Sequence, residues 1–438
     1  MGAGGAAGPA ILRRTATTAE GRGGGVAGRI GRARLAILAI GGALVLLALA
    51  AGLLALRDGE ARDTLIAGWS RLTAPPVYTA DDQVAPAPDA GLVGVNTFLE
   101  QEVEPASRRR ALQMARDAGF GAIRQQFPWA EMEPDAKGVY WDARWDQDSW
   151  AKYDEIVDLA AEYGLDVLAR LDTSPAWARP GNPSPATPPT NLADYGDYVA
   201  AVVGRYAGRV RYFQLWNEPN LASEWGEQPV DPVAFTALLA EGYRRAKAAN
   251  PDAVIVAPAL APTVEDSPWA QSELRFLDAM YDAGAGAYFD VLAVQAYGLR
   301  DGPDDRRLAP DRVNFSRPLL VRELMVRRGD AAKPVWAAEL GWDALPPDFP
   351  GPAVYGRVSE AQQARYTVRA LERIRAEWPW LQRSFVWYLK RADASRRDEA
   401  WYYFRLLEPD FTPLPVYGAL RDYLRAPGRA PSPHRDPP

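Results

Sequence analysis

The sequence predicts an eight-stranded (β/α)8 barrel preceded by a single N-terminal membrane-spanning helix. Three observations predict it. Between residues 91 and 425, short apolar runs alternate eight times with segments of helical period. Several of these runs end in polar or charged residues, where barrel strands pass into the loops that carry chemistry. Far upstream, Leu35 to Leu56 contains no charge. At about 1.5 Å per residue that run spans a hydrocarbon core about 30 Å thick. A doubly wound open sheet would want a Gly-rich phosphate turn after an early strand, and the sequence has none.

The elements follow in order. Leu92–Asn96 reads as the first strand, and Ser107–Ala118 as a helix closed by Gly119. Ala122–Phe127 is the second strand. The second helix, Trp150–Tyr163, closes at Gly164 and carries Ile156, Leu159 and Ala160 at helical spacing. Leu165–Leu171, Leu192–Tyr206 and Val210–Trp216 supply strand three, helix three and strand four. Asp231 as N-cap with Pro232 at the first helical position starts helix four. Strands five to eight fall at Ala253–Ala257, Val291–Ala296, Val335–Ala338 and Ser384–Tyr388. Helices at Glu273–Ala283, Leu319–Arg328, Glu360–Glu377 and Val416–Leu424 fill the gaps.

Outside the barrel at 91–425, residues 1–34 are Gly/Ala/Arg-rich, a composition expected of a disordered segment. Arg13, Arg14, Arg22, Arg29, Arg32 and Arg34 precede the apolar run, and Asp58 and Glu60 follow it. That asymmetry predicts a cytoplasmic N-terminus, a signal-anchor at 35–56 and an extracytoplasmic barrel. A secreted form is the rival, because Ala48-Leu49-Ala50 resembles a cleavage site. Pro-punctuated residues 57–90 read as a stalk, and 426–438 as a Pro-rich tail.

Composition narrows the chemistry. The chain has no Cys, and its only His, His434, lies in the tail. Thiolate catalysis, Ser-His-Asp hydrolysis and His-based metal sites are closed to the barrel. Acid-base work falls to Asp, Glu, Tyr or Lys. No cofactor is implied. A net charge of −6 and the absence of a basic patch exclude nucleic acid as the main partner.

Two carboxyls stand at strand ends. Glu218 follows strand four in Leu215-Trp216-Asn217-Glu218-Pro219, and Glu339 ends strand seven in Val335-Trp336-Ala337-Ala338-Glu339. Two carboxyls so placed are the minimal equipment for cleaving a glycosidic bond. Around them the strand ends collect Arg124, Gln295, Tyr297, Trp129, Trp177, Trp342 and Trp387. Arg124 and Tyr297 are candidate donors to Glu339. The Trp residues are candidate sugar platforms, because aromatic faces stack on sugar C–H faces.

The set resembles the glycoside hydrolases of clan A, the retaining barrels with catalytic residues on strands four and seven. Arg124-Gln125-Gln126-Phe127-Pro128-Trp129, then Glu133-Pro134 and Gly138-Val139-Tyr140-Trp141, resemble the second-strand region of glycoside hydrolase families 39 and 5. So does the ending Asp410-Phe411-Thr412-Pro413-Leu414-Pro415. The resemblance implies that Glu218 is the acid/base and Glu339 the nucleophile. It also implies that Asn217 binds the sugar 2-hydroxyl. Many relatives carry His two residues before the strand-six Tyr; Gln295 stands there in this chain and is expected to alter sugar contacts. The implied substrate is an oligo- or polysaccharide. Similarity to tethered glycosidases that accompany exopolysaccharide machinery implies endo-action over β-xylosidase action. Two alternatives share the same residues: a silent polysaccharide-binding module, and a transglycosylase that intercepts the covalent intermediate with a sugar.

Overall fold

The computed structural model describes residues 90–427, with Leu65, Gly68, Trp69 and Val84 before them. Met1–Leu65 and Ile66–Pro438 are separate units. The expected segments 1–34 and 35–56, nearly all of the stalk and the tail beyond 427 lie outside the described residues. Among the described residues no helix is long and apolar enough to cross a membrane.

Eight parallel strands form the barrel: β1 (Leu92–Thr97), β2 (Ala122–Pro128), β3 (Asp166–Asp172), β4 (Tyr212–Leu215), β5 (Val254–Val256), β6 (Leu292–Tyr297), β7 (Val335–Gly341) and β8 (Leu381–Val386). Their spatial order is β5-β4-β3-β2-β1-β8-β7-β6. Parallel bridges Val256↔Val291 and Leu260↔Val294 close β5 on β6. Eight helices alternate with them: α1 (Pro105–Ala118), α2 (Trp150–Glu162), α3 (Leu192–Arg205), α4 (Pro232–Ala249), α5 (Glu273–Asp282), α6 (Pro318–Arg327), α7 (Glu360–Glu377) and α8 (Pro415–Leu424).

Local chemistry starts and stops these helices. The Asp231 carboxylate accepts from the backbone N–H groups of Val233 and Ala234, and Pro232 opens α4. Ser359 and Gln362 form a reciprocal capping box on α7. Gly119, at φ 93°, ends α1 in the left-handed conformation.

The period-2 alternation of strand side chains makes two cores. One set of buried side chains packs strands against helices, including Phe127, Val203, Leu215, Leu239 and Leu340. The other fills the barrel interior with Leu168, Val256, Ala293, Trp336 and Phe385. Gly94 belongs on β1 because a Cβ there would stand 2.5 Å from the Phe385 ring.

Strand eight corrects the sequence reading. It runs Leu381–Val386 rather than Ser384–Tyr388. Gln382 and Arg383 look unlike a buried strand, yet the Arg383 guanidinium lies 4.1 Å from the Tyr212 ring centre and 4.7 Å from that of Trp336. Cation–π contact and its ion pair with Asp166 let an arginine fill the interior. Strand four is also shorter than its apolar run, because Trp216 turns out of it at φ 69°.

Candidate active site

The interior-facing residues at the C-terminal ends of the strands converge on the barrel mouth. Arg124 of β2 is 2 % exposed and lies at the centre of the polar network. Its Nη1 donates to Glu339 Oε1 at 2.8 Å and to Asn96 Oδ1 at 2.7 Å. Nη2 donates to Asn217 Oδ1 and Nε to Gln214 Oε1, both at 2.8 Å. One planar guanidinium therefore ties β1, β4 and β7 to β2.

Glu339 is buried at the end of β7 and receives a second donor, the Tyr297 hydroxyl, at 2.5 Å. Arg124 and Tyr297 hold one oxygen each, which fixes the plane of the carboxylate. Burial pushes the Tyr297 hydroxyl well above its ordinary pKa, and the neighbouring Glu339 charge adds to this. Tyr297 thus remains a donor at any working pH.

Glu218 sits in a different environment. Burial pushes its pKa up to about 8, with repulsion from Glu339 and then Glu224 adding to the rise. Among the described residues one side-chain donor reaches it, the Gln295 amide, at 2.8 Å to Oε1. Trp216 and Glu218 hold left-handed backbone, φ 69° and 43°, at non-glycine residues. Backbone held in such sparsely populated regions clusters at active sites. The loop is pinned elsewhere: the Glu218 N–H donates to Ala259 O, and Asn220 bonds Ala261 and Gln271. The site therefore holds two carboxyls in contrasting settings, one protonated at neutral pH and one clasped by donors. That is the equipment of an acid and a nucleophile.

The aromatic residues divide. Trp387 follows β8, is partly exposed, and lines a pocket at the mouth with Phe98, Asn96, Arg124, Gln126 and Arg170. Trp129 and Trp342 depart from expectation. Trp129 is 0 % exposed, stacks on Tyr198 and donates its indole N–H to Glu133. Trp342 is 0 % exposed and donates to Asp301 O. A Cβ on Gly298 would stand 2.2 Å from its ring, so the indole fills a slot shaped for it. Neither faces the mouth. Trp177 packs edge-on against Trp129 and gives its N–H to Glu133 O, leaving part of its ring exposed. Gln295 gives its amide nitrogen to Glu218, and its amide oxygen is buried.

The structure adds residues that sequence reasoning missed. Asn96 and Gln214 complete the Arg124 network; Gln214, polar between Phe213 and Leu215 in a buried strand, was the available signal. Glu224 lies in a short helix, Ala222–Glu224, after β4. Burial pushes its pKa up to about 7 against the pull of Arg170, with Asp172 and Glu339 adding to the rise, and Asn217 bonds its carboxyl. Nothing in the local sequence marks it. Among the described residues no group of three or more Asp, Glu, His or Cys is gathered as metal ligands would be.

Comparison with known proteins fits this geometry. Residues 81–280 match the family model described as Cellulase (glycosyl hydrolase family 5), a span that includes Glu218 and ends before Glu339. Over that span the chain resembles this family, on a (β/α)8 barrel. No curated protein matches it in sequence. Among solved structures, a family 39 glycoside hydrolase from the gut symbiont Bacteroides cellulosilyticus is 21 % identical, with a TM-score of 0.59 over 80 % of this chain and 65 % of that one. The chain thus spans under two thirds of that protein's length. A family 39 β-xylosidase from Caulobacter crescentus is 19 % identical, with a TM-score of 0.53 over 76 % of this chain and 70 % of that one. The GH5_18 protein of Streptomyces cattleya, solved in complex with GlcNAc, is 18 % identical, with a TM-score of 0.53 over 78 % of this chain and 82 % of that one. At these identities the likeness is one of fold.

Proposed function

We propose that the chain is a retaining glycoside hydrolase that cleaves O-glycosidic bonds of an oligo- or polysaccharide outside the cytoplasm. The observation that carries this reading is the opposed setting of the two carboxyls. Glu218 is buried, faces another carboxyl and keeps its proton at pH 7. Glu339 is oriented by two donors. In the first step Glu339 attacks the anomeric carbon. The bond to the leaving oxygen breaks as Glu218 delivers its proton there. In the second step Glu218, now a carboxylate, takes a proton from water. The water oxygen then displaces Glu339 from the same carbon. Two inversions return the original configuration, which requires the carboxyls to stand about 5–5.5 Å apart. Asn217, oriented by Arg124, binds the sugar 2-hydroxyl in this reading.

Trp387 and Phe98 at the mouth supply apolar faces for a sugar ring. Trp145 and Trp269, 65 % and 54 % exposed on the loops after β2 and β5, support a long polymer and endo-action. The apolar run at 35–56 and its Arg-rich flank support a tethered enzyme with its barrel outside.

The test separates the two carboxyls. Glu339→Ala is expected to form no glycosyl-enzyme with any substrate. Glu218→Ala is expected to lose about 10²–10⁴-fold on poor leaving groups. It should still react with an activated aryl glycoside and accumulate a covalent adduct on Glu339, read by mass spectrometry. An adduct on Glu218, or an inverted product appearing first by NMR, overturns the reading.

A further inference from the structure

We propose that Gln295 is the positioning residue of the acid: its amide N–H, given to Glu218 Oε1, leaves the transferable proton on Oε2 and directed at the leaving oxygen. The inference rests on the reading of Glu218 as the acid and adds how its proton is aimed.

Gln295 is 4 % exposed and stands on β6, paired in register with Glu339 of β7. Two residues on, Tyr297 donates to Glu339. Alternate interior positions of one strand therefore serve the two carboxyls separately. The contact from Gln295 Nε2 to Glu218 Oε1 is 2.8 Å. An amide nitrogen can only donate. In a protonated carboxyl the carbonyl oxygen is the better acceptor, and the other oxygen carries the hydrogen. The oxygen accepting from Gln295 is thus the carbonyl oxygen, and the proton belongs to the other.

Gln295 Oε1 is buried and has no hydrogen-bond partner among the described residues. Buried polar atoms are nearly always paired, so an orphan asks for a reason. Turning the amide over would bring Oε1 to Glu218, and Glu218 would give its proton to Gln295 rather than to the leaving oxygen. The amide nitrogen would then lie where Oε1 now finds no partner. The observed orientation strands one acceptor and keeps the acid productive.

An amide also does not titrate in the working range. It donates to the acid before proton transfer and to the carboxylate afterwards, so one contact serves both half-reactions. An imidazole at this position would add its own ionisation to the profile. Glu218 otherwise faces Glu339, Glu224, Arg124, Tyr297 and Tyr355, and among the described residues no side chain but Gln295 bonds it.

The test compares Gln295→Met with wild type on two aryl glycosides, one with an activated and one with a poor leaving group. Losing the aim of the proton should lower kcat/KM about tenfold on the poor leaving group, the worth of one neutral hydrogen bond, and change the activated substrate little. Removing a donor from the carboxylate should also move the alkaline limb of kcat/KM to higher pH. Gln295→His, which keeps an N–H donor, should restore the leaving-group pattern and add an acidic limb. Equal losses on both substrates, or an alkaline limb that stays put, overturn the proposal. If Gln295→Met fails to fold, a Gln295→His profile identical to wild type overturns it. Glu218→Ala is the control for the underlying reading. If that variant lacks the leaving-group pattern, the assignment of the acid fails. If it shows the pattern and Gln295→Met does not, only the role of Gln295 fails.

Discussion

Replacing Arg124 by lysine keeps the charge and removes the fork. Four acceptors surround the guanidinium at 2.7–2.8 Å: Asn96 Oδ1, Gln214 Oε1, Asn217 Oδ1 and Glu339 Oε1. An ammonium has three donors. At least one buried acceptor is left without a partner, at about 1–3 kcal/mol. Thermal unfolding of Arg124→Lys should therefore fall by several degrees. The shorter, unforked side chain also loosens Glu339. If the weakened contact costs the attacking carboxylate about 1.4–2.8 kcal/mol in the transition state, kcat falls about ten- to a hundredfold. The assay is steady-state hydrolysis of two aryl glycosides, with the melting temperature measured alongside. Because Arg124 bonds Glu339, the proposed nucleophile, the loss should be similar for good and poor leaving groups. Wild-type melting and kcat, or a loss confined to poor leaving groups, would refute the placement of Arg124.

Three further outcomes are expected. Wild-type kcat/KM should fall as pH rises through about 8, because burial and then the Glu339 and Glu224 charges hold the Glu218 proton to that pH; a rate still rising at pH 10 contradicts it. Asp343 is 0 % exposed, neither of its carboxyl oxygens has a partner among the described residues, and burial pushes its pKa up to about 8. A folded pKa raised above the unfolded value of about 4 means stability present at low pH is lost as pH rises from about 4 to about 8, by a few kcal/mol. Asp343→Asn should therefore gain in melting temperature relative to wild type across that window; a difference independent of pH refutes this. Trp269→Ala should raise KM for a polysaccharide while leaving an aryl glycoside unaffected, since the ring is 54 % exposed and supports little of the fold; equal effects on both would remove Trp269 from the substrate path.

Much of the architecture was legible because its signals are local. Strand and helix periods differ, and Asp231-Pro232 and Gly119 mark their own helix ends. The positions of Glu218 and Glu339 at strand ends were equally visible, since a carboxyl that closes an apolar run marks the point where a strand leaves the core. Strand eight was less legible because Arg383 is accommodated by two rings and a carboxylate from distant strands. Trp129, Trp177, Trp342 and Trp387 follow strands in the same way, yet only Trp387 lines the mouth pocket. An indole beyond a strand can turn into the mouth or back into a slot. Which happens depends on space opened elsewhere, as Gly298 does for Trp342.

The sequence by itself determined the eight-fold alternation, the two carboxyls, and the absence of His and Cys from the barrel. Each of these is a property of residue type and spacing. Only the tertiary structure decided how the carboxyls differ. Asn96, Arg124, Gln214, Gln295, Tyr297 and Glu224 come from four strands and a short helix, and barrel closure brings them together. Protonation state is set by burial and by charges a few ångströms away in space. Those distances come from strand register and closure, over sequence separations of 215 residues between Arg124 and Glu339 and 77 between Glu218 and Gln295.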